Sequence, residues 1–131
     1  MTSRSITFRI RPEVVRERIA EVVQMATQKI AMQCLRGVVL RTPVDTGRAR
    51  SNWNVSLDGP DTSEQGIDST EGTISAGSSA ILASKPYATI YISNGLPYIT
   101  ALEYGHSKQA PGGMVRLTLD QVAAQFERPS L

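Results

Sequence analysis

The chain has 131 residues, 40% of them hydrophobic and 20% charged, with a formal net charge of +2. That length allows a single domain with one core, and the balance of apolar and charged residues excludes a disordered chain and a membrane-embedded one. So small a net charge, with only 5% aromatic residues, also points away from a general nucleic-acid binder that stacks bases.

Charge is nevertheless unevenly spread. Residues 1–50 carry an Arg-rich basic excess, whereas residues 51–75 hold Asp58, Asp61, Glu64, Asp68 and Glu71 with no Lys or Arg. Such segregation suits contacts in which a basic surface of one copy meets an acidic surface of the next, and it equally suits two solvated faces. Cys34 is the only cysteine, so no intrachain disulfide can form and a reducing cytoplasm fits. The N-terminus lacks the apolar core of a signal peptide, and no apolar run approaches the ~18 residues that cross a bilayer. Neither export by a standard signal nor a membrane partner is expected.

In chain order, Ile6, Phe8 and Ile10 alternate with Thr7, Arg9 and Arg11, the period-two pattern of a strand with one buried face. Pro12 suits the first position of a helix, and Glu13 and Glu17 suit its positive end. Val15, Ile19, Val22, Ala26, Ile30 and Cys34 then recur at three- and four-residue steps, predicting a long amphipathic helix from Pro12 to about Arg41. Such a helix is roughly 45 Å long, more than a small domain needs. A far end that outruns the domain is available to a partner, although packing across a sheet would also use it. Thr42-Pro43 stops the helix, and Val44-Asp45-Thr46-Gly47 reads as a tight turn.

Trp53, Val55 and Leu57 alternate with Asn54 and Ser56 and predict a second strand. Residues 58–72 read as a long flexible acidic loop. Residues 73–76 are expected to resume as a strand, with Ser78 or Ser79 capping a short helical turn through Leu82. A further strand is expected over residues 89–93, with Ile90 and Ile92 on one face. Asn94-Gly95 turns the chain, Pro97 opens a short helix over residues 98–104, and Gly105 ends it. Residues 106–113 form a loop. Val115, Leu119, Val122 and Phe126 predict a final helix that ends before Pro129. The fold class expected is α+β.

A search for chemistry starts with His106, the only histidine and the only side chain that ordinarily titrates near neutrality. No nucleophile-elbow pattern surrounds any Ser, and one His and one Cys in unrelated segments do not make a zinc site. Gly112-Gly113 lacks the Lys and Ser/Thr of a phosphate-binding loop. Cys34 falls on the apolar face of the long helix, as a structural thiol would. No catalytic, metal or cofactor site is expected.

Two segments carry a resemblance. Thr42-Pro-Val-Asp-Thr-Gly-Arg-Ala-Arg-Ser-Asn-Trp, directly after the long helix, resembles the signature of the neck or tail-completion proteins of tailed bacteriophages. Tyr91-Ile-Ser-Asn-Gly-Leu-Pro-Tyr and Ala101-Leu-Glu-Tyr-Gly-His-Ser-Lys-Gln-Ala-Pro-Gly-Gly-Met-Val-Arg are similar to a second region of that family. The likeness covers roughly residues 12–57 and 87–126, and the acidic loop between has no clear counterpart.

The resemblance implies one domain over residues 1–131 with a long N-terminal helix on a small antiparallel sheet. It also implies a homo-oligomeric ring, a hexamer in the first instance, at the head-tail junction of the virion. Its neighbours there would be the head connector or stopper proteins and the tail terminator or tail tube protein. DNA would pass through the ring without sequence-specific binding, and the subunit would be made in the host cytoplasm.

Candidate contacts to a neighbouring subunit or partner are Asp45, Thr46, Arg48 and Arg50 in the first segment. Tyr98, Glu103, Tyr104, His106, Lys108 and Gln109 are the candidates in the second. Arg48 and Arg50 suit carboxylates, though they would equally serve a helix-to-strand turn, and the 106–109 loop would equally serve as an anchor on its own sheet. If Asp58, Asp61, Glu64, Asp68 and Glu71 face the channel, their charge keeps passing DNA from sticking; solvated disorder is the other reading. Three other functions compete: a tail-terminator or minor tail subunit, a small DNA-binding protein using the Arg-rich first strand and helix, and a hydrolase built on His106.

Overall fold

The computed structural model describes residues 4–44, 46–105, 110 and 112–126. Helix α1 runs from Pro12 to Arg41, with Pro12 in its first turn after an extended Arg11. It stops at Thr42, whose N–H reaches the carbonyls of Val38 and Val39 and whose hydroxyl also donates to Val38 O. The helix is where the periodicity puts it, but the expected stripe is not its buried face. Val15, Ile19 and Val22 are exposed, and the residues that α1 buries are Ala31, Leu35, Val38 and Val39, all in its C-terminal half. The later elements pack mainly there, and further forward the Ser84 carbonyl accepts from Gln24 and Gln28.

The expected first strand does not form. Residues 4–11 hold no secondary structure, and Ile6, Phe8 and Ile10 are 92%, 89% and 79% exposed. Alternation marks a strand only when an edge is available to pair with, and this segment meets none among the described residues.

A single-turn helix, α2 (Arg48–Ser51), follows the turn at Gly47 (φ 82°) and was not foreseen. Strand β1 (Asn54–Ser56) pairs antiparallel with β2 (Tyr91–Ser93), joining Asn54 to Ser93, Val55 to Ile92 and Ser56 to Tyr91. Between them lies the largest departure from expectation. Residues 73–76 are not a strand, and Ser78 and Ser79 do not cap a turn; all lie inside helix α3 (Thr70–Leu82). Its N-cap is Ser69, whose Oγ accepts from Gly72 N at 2.9 Å. Ser78 and Ser79 instead donate back to the carbonyls of Ile74 and Ser75. The acidic loop therefore ends at residue 69.

Helix α4 (Ile99–Glu103) stops at Gly105 (φ 83°), and α5 (Val115–Phe126) closes the described chain. α1 lies against α3 and α5, and the contacts are close. A Cβ on Gly77 of α3 would stand 2.5 Å from Leu35 Cδ2 and 2.9 Å from Val55 Cγ2, so helix, helix and sheet converge at that point. The core is Leu35, Val38, Val39, Trp53, Ile74, Ile81 and Met114, with Val55, Ile90 and Ile92 of the sheet and Ile99 and Leu102 of α4 packed against it. The class is α+β, with a long N-terminal helix, a small antiparallel sheet, a short helix and a C-terminal helix.

Candidate partner-binding surface

Residues 42–53 close on themselves. The Trp53 indole N–H donates to Thr42 Oγ1 at 2.8 Å, both residues being buried, so the two ends of the segment meet under α2. Arg50 donates to Thr42 O (3.0 and 3.3 Å), Leu40 O (3.1 Å) and Thr70 Oγ1 (3.1 Å). Its guanidinium thus satisfies carbonyls at the end of α1 and ties them to the start of α3.

The same segment holds the acidic loop in place. Asn52, buried, accepts from Gln65 N at 2.6 Å and donates to Arg48 O and Gln65 O. Ser51 Oγ donates to Asp68 O and accepts from Asp68 N. Asn54 donates to the carbonyls of Asp61 and Ser63. The loop read as flexible is therefore fastened along its length.

Arg48 points outward from this frame. It pairs with Glu64, and its guanidinium lies 5.7 Å from the centre of the Tyr98 ring. Arg48 holds the Glu64 carboxyl below its usual range, and Ser63, through hydroxyl and then backbone N–H, does the same for Asp61. Asn94 adds a bond from its side chain to Ala49 O at 2.9 Å, so the two resemblance-bearing segments fold onto each other.

At the other end of α4, Glu103 caps a different helix. Its carboxylate accepts from Val115 N (2.7 Å), Met114 N (2.9 Å) and Arg116 N (3.1 Å), the free donors at the start of α5, and from Arg116 Nε at 3.0 Å. Partial burial alone would raise this carboxyl; the three N–H groups and the guanidinium outweigh it and hold it below the usual range. Gly113 (φ 87°) is required here, since a Cβ would stand 2.5 Å from Glu103 O. Arg116 in turn lies 5.1 Å from the Tyr104 ring centre.

The surface so built shows Arg48 and Tyr98 at one end of α4 and Tyr104 and Arg116 at the other. Arg50 and Glu103, read as outward contacts, spend their polar atoms on their own chain. Thr46, Asp58 and Glu71 are exposed, with Thr46 Oγ1 accepting from Arg48 N and Asp68 accepting from Ser69 N. Asp45, His106, Lys108 and Gln109 lie outside the described residues. Among the described residues, no group of three or more His, Cys, Asp or Glu is placed to hold a metal ion. Burial pushes the Cys34 thiol up, away from a reactive thiolate.

No protein-family model, curated protein or solved structure matches this chain. Its surface is therefore read on its own geometry. The feature missed by sequence reasoning is the front of α1, where Val14, Val15, Ile19, Val22 and Met25 are exposed at 46%, 44%, 50%, 52% and 67% and, together with residues 4–11, leave an apolar stretch uncovered. The stripe itself was visible; that no described residue covers it was not. No described helix is long and apolar enough to cross a membrane.

Proposed function

We propose that the chain is a structural virion protein that forms a homo-oligomeric ring at the phage head-tail junction. The ring joins the head connector to the tail and leaves a channel for DNA. The observation that carries this reading is the uncovered front of α1, where Val14, Val15, Ile19, Val22 and Met25 all stand exposed along one helix. A subunit whose long helix outruns its own core is suited to a repeated contact in which each copy covers the next. The resemblance of residues 42–53 and 91–116 to neck and tail-completion proteins gives that assembly its place, in the virion.

Arg48, Tyr98, Tyr104 and Arg116 supply a second patch, of the Arg and Tyr residues in which interfaces are enriched. Disrupting the gene is expected to leave filled heads and separate tails. Particles with tails attached would overturn the assignment, and tail tubes of uncontrolled length would place the subunit at the tail terminus instead.

A further inference from the structure

Residues 4–11 combine three properties that no intramolecular role explains. They alternate apolar and polar side chains at period two, they lead into an extended Arg11 (φ −106°, ψ 116°), and their apolar side chains Ile6, Phe8 and Ile10 are almost fully exposed. A segment with this pattern is a strand without a partner. The fold contains the complementary defect. Its sheet has two strands of three residues each, and so short a ribbon is marginal by itself.

The two edges of that sheet differ. β1 packs against α3, and its Asn54 side chain holds the loop carbonyls of Asp61 and Ser63. Among the described residues no strand lies beyond β2 and no further hydrogen bond reaches Tyr91, Ile92 or Ser93, so its outward N–H and C=O groups are open to pairing.

We infer that residues 4–11 add as a third strand to the outer edge of β2 in a neighbouring copy of this chain, with Ile6, Phe8 and Ile10 extending the apolar face of Val55 and Ile92. The inference rests on the ring reading and names its contact. Distance selects a second copy over the same chain. The sheet meets α1 at the level of Leu35, about 35 Å along the axis from Pro12 at 1.5 Å per residue. The arm spans roughly 27 Å when fully extended, so it falls short of its own sheet. Charge favours the same site. The arm carries Arg4, Arg9 and Arg11 with no acid, while Thr62, between Asp61 and Glu64, crosses over Gly95 just past the end of β2. Strand addition supplies main-chain hydrogen bonds at once and apolar burial on one face.

The test uses the full chain and a triple variant, Ile6→Asp, Phe8→Asp and Ile10→Asp, with association read by sedimentation velocity and backbone pairing by hydrogen exchange. The substituted side chains are almost wholly exposed in their own subunit, so the helical circular dichroism of the variant should equal that of the wild type. The expected result is an oligomer for the wild type, with exchange slowed at least tenfold at those amides of β2 that point away from β1, and a monomer with fast exchange there for the variant. A variant that assembles as the wild type does overturns the arm and leaves the ring standing. Wild-type oligomers without slowed exchange in β2 overturn strand addition at that edge. A wild type that stays monomeric at every concentration overturns the second copy as occupant and removes support from the ring as well.

Discussion

Glu103 shows how one side chain joins two elements. It lies on α4, yet it does for α5 what an N-cap residue does for its own helix, and charge makes each bond stronger than a neutral cap would give. Because the folded carboxyl titrates below the ordinary value of about 4.3, its contribution is whole above that value and is lost as pH falls through the lower folded one. Glu103→Gln should therefore cost about 1–3 kcal/mol at neutral pH. The gap from wild type should narrow on acidification, as measured by urea unfolding at neutral and acid pH. Sequence reasoning picked out Glu103 as a contact to a neighbour. It could not find the role, because the donors it serves are more than ten residues away along the chain.

At the level of elements, the long helix, both strands, the short helix and the last helix were legible because each has a clear period or a clear stop signal. α3 was not. Its Gly, Ser, Thr and Ala residues carry little periodicity, and its buried apolar side chains, Ile74 and Ile81, are two turns apart on one face with only Gly77 buried between them. That glycine is where small size does the work: α3 approaches Leu35 and Val55 too closely for any side chain. Gly77→Ala should lower stability by about 1–3 kcal/mol through overpacking, despite the better helix propensity of Ala. A melting temperature equal to or above that of the wild type would contradict the close approach. The first strand failed for the opposite reason: its local pattern is sound, and only the tertiary structure reveals that no edge in the chain receives it.

Across the whole molecule, the packed and the uncovered apolar residues occupy different stretches of one helix. Residues 31–39 of α1 hold the core, and the exposed positions ahead of Gln24 hold nothing. Replacing Val15, Ile19 and Val22 with Lys is expected to leave the melting temperature within about 2 °C of the wild type, since surface changes away from packed features cost little. The same variant should lose self-association in sedimentation. A fall in melting temperature comparable to that from a core truncation would mean that the front of α1 packs on its own domain.

Helical order along α1 should also be graded. A helix of three turns without tertiary packing is marginal in water, because its nucleation cost is offset by few hydrogen bonds. The first dozen residues of α1 have only Arg18–Glu21 as a side-chain pair among the described contacts, whereas the last dozen are clamped by α3 and α5. In the free subunit, amides of residues 16–23 should exchange orders of magnitude faster than those of residues 35–41, and uniform protection would refute this. In the proposed ring, part of the free energy of docking would then go into winding the front turns, so each contact made there would be weaker than its area suggests and easier to reverse. A subunit built this way would sample and correct its neighbours before the structure locks, and its unassembled copies would carry a frayed, charge-studded front in place of a rigid sticky one.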